Sequence, residues 1–226
     1  MNYSDLQTQF LGLLNRRDCT TTQVQGFIQN SILRIQRELR VPLMEKVSLI
    51  TVDSTYATAG GLAIPSDFLE LIDLIATSSQ GVTTNMQRME KCDISRALLL
   101  AASTGVPAQY SRDGAVWVLG PKPLVGDIIK IKYYAALTPL VNPPDTNQLS
   151  NAAYDLMLYG ALTFAGDFYT DKRVATWEAR YTQIRDDLQM QADMDEESGA
   201  AAVQPAFAYP DDLGNDLFPY PTPGGF

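Results

Sequence analysis

The chain contains no histidine in its 226 residues. That removes the commonest general base and the commonest side-chain ligand for transition metals. It also excludes every Ser–His and Cys–His nucleophile pair. Cysteine is nearly as scarce. Cys19 and Cys92 stand apart, without CxxC or zinc-ligand spacing, and read as ordinary reduced thiols rather than a secreted disulfide framework. No apolar run approaches the ~18–20 residues of a membrane span. The start, Met1-Asn2-Tyr3-Ser4-Asp5, lacks the basic and apolar regions of a signal peptide, so the expectation is a soluble chain made in a cytoplasm. P-loop, dinucleotide-binding and nucleophile-elbow motifs are missing too. The acidic runs Asp186-Asp187 and Asp193-x-Asp195-Glu196-Glu197 lack the spacing and loop glycine of an EF-hand and read as solvated charge. No catalytic residue, cofactor or metal site is expected.

Basic residues are absent from one region altogether. Residues 186–226 carry nine acidic side chains and no Lys or Arg, so the formal net charge of −9 resides at that end, and the remainder is balanced. From about Gly199 the sequence turns rich in proline and aromatics. Charge and proline oppose a compact state there, so the tail is expected to be disordered alone and to order on a partner. Fully extended, its 28 residues reach up to about 90–100 Å. Each buried Phe contributes roughly 1.5–3 kcal/mol, so several anchored aromatics could outweigh the ordering cost. The candidate partner-binding residues are Phe207, Tyr209, Asp211, Asp212, Leu217, Phe218, Tyr220 and Phe226. A pI near 4.5 argues against a surface that condenses on nucleic acid, though it suits a negative channel through which DNA passes without sticking.

What is present in the body predicts an α+β fold: a bundle of N- and C-terminal helices with a central antiparallel β insert and an extended C-terminal tail. The divisions are 1–43, 44–140, 141–198 and 199–226. Leu6, Phe10, Leu13 and Leu14 predict a helix over 4–17, with Ser4 and Gln7 as its capping box. Val24, Phe27, Ile28, Ile32, Ile35 and Leu39 predict a second over 21–40, capped by Thr20 and Gln23 and stopped by Pro42. Arg34, Arg37 and Arg40, three apart, form a candidate basic strip that could receive an acidic partner, such as the tail of a neighbouring copy.

Strands are predicted over 47–53, 116–119 and 127–134. In the last, Ile129, Ile131 and Tyr133 alternate with Lys130, Lys132 and Tyr134. Asp113-Gly114 marks a hairpin turn. The segment 69–77 is ambiguous, because Leu69, Leu71, Ile72, Leu74 and Ile75 fit a strand or a helix. A short helix is predicted over 89–102. After a proline linker (Pro139, Pro143, Pro144), a buried helix is predicted over 152–169, its Gly160 and Gly166 tolerated for close packing. The helix predicted over 171–195 carries a heptad seam of Val174, Trp177, Tyr181, Ile184 and Leu188, and is expected to pack on the preceding one.

Several segments in order resemble the head-to-tail adaptor, or connector, proteins of tailed bacteriophages. Tyr3-x-Asp5-Leu6, Thr21-x-x-Val24-x-x-Phe27-Ile28 and Arg34-x-x-Arg37-x-Leu39-Arg40 are similar to that family's opening helices. Leu62-Ala63-Ile64-Pro65-Ser66-Asp67-Phe68-Leu69-Glu70 resembles its central segment. Gly105-x-Pro107-x-x-Tyr110, Leu119-x-Pro121-x-Pro123, Gly126-Asp127, Tyr133-Tyr134 and Leu137-x-Pro139-Leu140 follow its recurring pattern, and Gly160-Ala161 with Trp177-x-x-Arg180-Tyr181 completes it. The resemblance covers about residues 1–190. It implies a structural protein of the virion neck without enzymatic activity, assembled in the host cytoplasm. Such a protein forms a ring, usually of twelve copies, beneath the portal, extends the DNA channel, and docks a tail, nozzle or tail-tube protein. It also implies that the C-terminal segment grips the portal, a use that the acidic, aromatic tail suits by entering grooves of the portal or the adjacent subunit. Two alternatives remain: a tail-completion or stopper protein, and a carboxylate-dependent wall-degrading enzyme built on residues such as Asp67 or Asp127.

Overall fold

The computed structural model describes residues 1–54, 56, 61–91, 93 and 104–198. The chain divides into two units, Met1–Ala192 and Asp193–Phe226. The acidic, aromatic tail 199–226 with its eight candidate binding residues lies outside the described residues. So do Cys92 and most of the helix expected over 89–102.

Helix α1 spans Tyr3–Leu14 and buries Tyr3, Leu6, Phe10 and Leu14. Its cap is Asn2, not Ser4. The Asn2 side chain accepts from the Asp5 amide at 2.9 Å, and the Asp5 carboxylate accepts from the Asn2 amide at 3.3 Å. Asn2 has the extended backbone an N-cap needs, whereas Ser4 is already helical. Helix α2, Thr21–Glu38, has the expected Thr20–Gln23 capping box. It ends two residues earlier than its apolar stripe suggests. Leu39 is already extended, and Pro42 opens a 3-10 turn, Pro42–Met44.

The insert holds β1 (Glu45–Thr51), β2 (Leu62–Ala63), β3 (Phe68–Thr77), β4 (Thr83–Asn85), β5 (Gln87–Arg88), β6 (Gln109–Asp113), β7 (Val116–Gly120) and β8 (Ile128–Ala135). They form two four-stranded sheets, ordered β1-β8-β3-β4 and β2-β7-β6-β5. The single antiparallel unit expected is therefore two sheets, and one of the pairings, β5 with β6, is parallel. Gly114, at φ 60°, supplies the turn between β6 and β7. In β8, Ile129, Ile131 and Tyr133 are buried, as their alternation predicts. They share one core with Leu74 and Ala76 of β3, Leu62 of β2, and Trp117 and Leu119 of β7, so the inner faces of both sheets close on each other.

Beyond the prolines, the buried helix predicted over 152–169 is α4 (Tyr154–Phe168), and a short helix the sequence did not signal, α3 (Gln148–Ala152), precedes it. The two are separated at Ala153, whose backbone (φ −148°, ψ 53°) is not helical. Asn147 caps α3, accepting from the Leu149 and Ser150 amides at 3.1 and 2.8 Å. The last helix, α5, spans Val174–Ser198. Helix α4 lies along α2 and against α1. The two glycines of α4 mark close approaches. A Cβ on Gly160 would collide with Ser31 Oγ of α2 and come 3.2 Å from the Tyr181 ring of α5, and one on Gly166 would meet Val174 at 2.5 Å and Trp177 at 2.9 Å. The helical core takes in Ile28, Ile32 and Ile35 of α2, Leu156, Ala161 and Leu162 of α4, and Trp177 and Tyr181 of α5. Leu69 and Tyr134 of the first sheet pack against it.

Candidate partner interface

The proposed basic strip is divided by its surroundings. Arg34 faces α5. Its guanidinium donates to both oxygens of Glu178 at 2.9 and 2.6 Å and to Glu38 Oε1 at 3.0 Å, and sits 4.1 Å from the centroid of the Tyr181 ring. The Tyr181 hydroxyl donates to Glu38 Oε2 at 2.9 Å, and Arg185 approaches the same oxygen at 3.4 Å. Arg34 holds Glu178 below the usual carboxylate range. For Glu38 burial works the other way, but Arg34 and Tyr181 together outweigh it and keep the group acidic. Burial and the bond to Glu38 both raise the Tyr181 hydroxyl.

Arg40 lies beyond the end of α2. It donates to Glu70 of β3 at 2.8 Å and to the Gln36 and Leu39 carbonyls at 2.8 and 2.7 Å. Two of the three arginines therefore join elements of this chain. Arg37 is exposed and lines an open groove with Asn30, Leu33, Gln36, Leu69 and Phe164.

The carboxylates considered for chemistry have structural surroundings. Asp67 accepts from Lys46 at 2.5 Å and from the Tyr133 hydroxyl at 2.9 Å. Burial raises it, but these two partners hold it below its ordinary value. Asp127 is buried and accepts from the amides of Ser79 and Leu124 at 3.1 and 2.8 Å, fixing the turn that leads into β8. Asp171 binds Arg173, whose guanidinium also donates to the Leu13 and Leu14 carbonyls at 3.1 and 2.9 Å and so closes the end of α1. That bond, with the Arg173 amide, lowers Asp171 to about 2. Among the described residues no group of three or more acidic or cysteine side chains could hold a metal ion, and no helix is long and apolar enough to cross a membrane.

The structure also shows two surfaces that sequence reasoning missed. On β1, Val47 and Leu49 are 51% and 68% exposed, and the register sets them opposite Lys132 and Lys130 of β8. The second surface is a cavity of about 230 Å³ at the mouth between the sheets, lined by Phe68, Tyr110 and Trp117 with Arg88 and Arg112. Arg112 lies 5.6 Å from the centroid of the Phe68 ring. An adjoining concavity of about 460 Å³ shares both arginines. The first is small against the roughly 300–1,000 Å³ of small-molecule pockets, so it suits a side chain better than a cofactor. Arg88 and Tyr110 meet through the parallel β5–β6 pairing, which has only two residues on each strand and leaves no periodicity to read.

The geometry thus offers interlocked charges, surface grooves and exposed apolar positions. A search of curated proteins finds no match to the chain. The family model described as SU10 adaptor protein matches residues 1–224, which takes in the bundle, both sheets and nearly all of the acidic tail. The chain belongs to the SU10 adaptor protein family, and is thereby a structural adaptor of the bacteriophage neck, a virion part that interacts with portal and tail components.

Proposed function

We propose that this chain forms a ring, usually of twelve copies, below the portal, extends the DNA channel without sequence-specific DNA contacts, and presents the docking site for the next tail component. The match over residues 1–224 carries this reading. The internal pairing of Asp67 and Asp127 supports a role without catalysis, since both carboxylates already have structural partners. Assembly takes place in the host cytoplasm, and the tail 199–226 orders as its aromatics and acids enter grooves of the portal or an adjacent subunit. Native mass spectrometry of the full chain with its portal ring, with and without residues 199–226, tests the proposal. About twelve added copies, reduced by truncation, support it. Failure of both forms to bind a folded portal ring would move the chain to a tail-completion or stopper role.

A further inference from the structure

Arg88 and Arg112 are both exposed, and neither forms an ion pair with a described carboxylate. Arg112 donates to the Gly114 carbonyl at 3.2 Å, a bond that leaves most of its fork open. Elsewhere the basic groups nearest to acids are engaged: Arg34 with Glu178, Arg40 with Glu70, Lys46 with Asp67, Lys91 with Asp113, Lys132 with Glu45 and Arg173 with Asp171. The two open guanidiniums flank an aromatic wall of Phe68, Tyr110 and Trp117. Of the acids lining the two concavities, Glu70 is held by Arg40 at 2.8 Å. A planar cation beside an aromatic face recognises a carboxylate adjoining an aromatic ring, the cation through charge-assisted hydrogen bonds and the wall by stacking.

The chain itself contains a segment of that chemistry. Asp211-Asp212-Leu213-Gly214-Asn215-Asp216-Leu217-Phe218 has three carboxylates, an aromatic and no basic residue, and belongs to the 28 residues beyond the last described helix. We propose that the seam at Arg88 and Arg112 receives the acidic segment around Asp211–Phe218 from a neighbouring copy. The proposal rests on the ring-forming adaptor reading and names the site for its tail. Each subunit carries one such tail and one such seam, so a head-to-tail exchange fills every site once the ring closes. Other contacts that hold the ring present the next subunit's seam to the tail as a tethered partner, so one short segment suffices.

The test uses the full chain with a photo-crosslinking amino acid at Phe218, prepared as an equal mixture of light and heavy isotope forms and assembled on the portal ring. Expected are crosslinks from position 218 to peptides of β5, β6 and β7, with mixed light–heavy pairs making up about half. The double reversal Arg88→Glu/Arg112→Glu should reduce their yield about tenfold or more, and Asp211→Lys/Asp212→Lys in the same chain should restore it. Both arginines are exposed, and the restoring pair guards against a folding defect. Light–light and heavy–heavy pairs alone would overturn the exchange between copies. Crosslinks to the portal or to other surfaces, or a yield indifferent to the reversal, would overturn the seam as the site. Copies bound to the portal are counted in the same samples. Normal binding with crosslinks elsewhere overturns this inference alone, whereas no binding overturns the adaptor reading beneath it.

Discussion

At the α2–α5 contact, Arg34 lies between Glu38 and Glu178 and over the ring of Tyr181, while at the mouth between the sheets Arg88 and Arg112 meet no described carboxylate. The first arrangement holds two distant parts of the chain together: α2 and α5 are joined by bonds spanning 144 residues of sequence. The second leaves cationic donors facing outward beside aromatics. The same residue type therefore acts as a fastener in the bundle and as an available recognition group on the sheets. Sequence spacing singled out Arg34, Arg37 and Arg40 as the outward-facing set. Pairing, rather than spacing, separates the two roles, because an arginine with two carboxylates in reach has little left to offer a partner.

Substitutions can break this contrast at several levels. The largest expected effect is in the β core. Trp117 is 1% exposed, so Trp117→Ala should cost about 3–5 kcal/mol, read from denaturant midpoints. Next comes the fastener. Arg34→Met leaves Glu178 without its bidentate donor and should cost about 1.5–3 kcal/mol, whereas Arg88→Met should stay within about 0.5 kcal/mol. Equal losses for the two would erase the distinction. Gly160→Ala tests the close approach of α4. Overpacking against Ser31 and Tyr181 costs about 1–3 kcal/mol and the helix preference for Ala returns about 1, leaving a net loss of up to about 2 kcal/mol.

A smaller effect is expected from pH. Glu38 and Glu178 lie below their ordinary 4.5 in the folded chain, and Asp171 falls from 3.8 to about 2. Groups lowered by folding contribute stability that is complete above the unfolded values and is lost as pH falls through the folded ones. Thermal midpoints should therefore hold steady between about pH 5 and 9 and decline from about pH 4.5 towards 2. In Arg34→Met the part of this decline that comes from Glu38 and Glu178 should be shallower. Raised stability at acid pH would contradict the sign. Arg37→Ala should leave stability within about 0.5 kcal/mol, so any weakening of assembly would mark its groove as a contact.

Much of the bundle was legible because its stripes are long. Val24 to Ile35 fix the buried face of α2, and Gly160 and Gly166 signalled the tight approach that Ser31, Tyr181, Val174 and Trp177 complete. The ambiguity at β3 has a physical cause. Its pairing with β8 shifts register between Phe68 and Glu70 and again between Leu71 and Asp73. These irregularities interrupt the alternation and put Leu71, Ile72 and Leu74 at spacings a helix also allows. The division into two sheets was not legible, because β2 and β5 have two residues each and their pairing depends on strands distant in sequence. The candidate seam was hidden for the same reason. Arg88 and Arg112 are 24 positions apart and converge only through that pairing. The spacing of two that sets Tyr110 and Arg112 on one face of β6 was its one local trace.

Hydrogen exchange of the full chain, free and assembled on the portal ring, tests the contrast most directly. The account predicts new protection at β5, β6, β7 and the acidic tail, with the buried amides of α2 and α4 slow and unchanged in both states. Protection gained along the α2–α5 contact instead, with β5 to β7 unaltered, would contradict it.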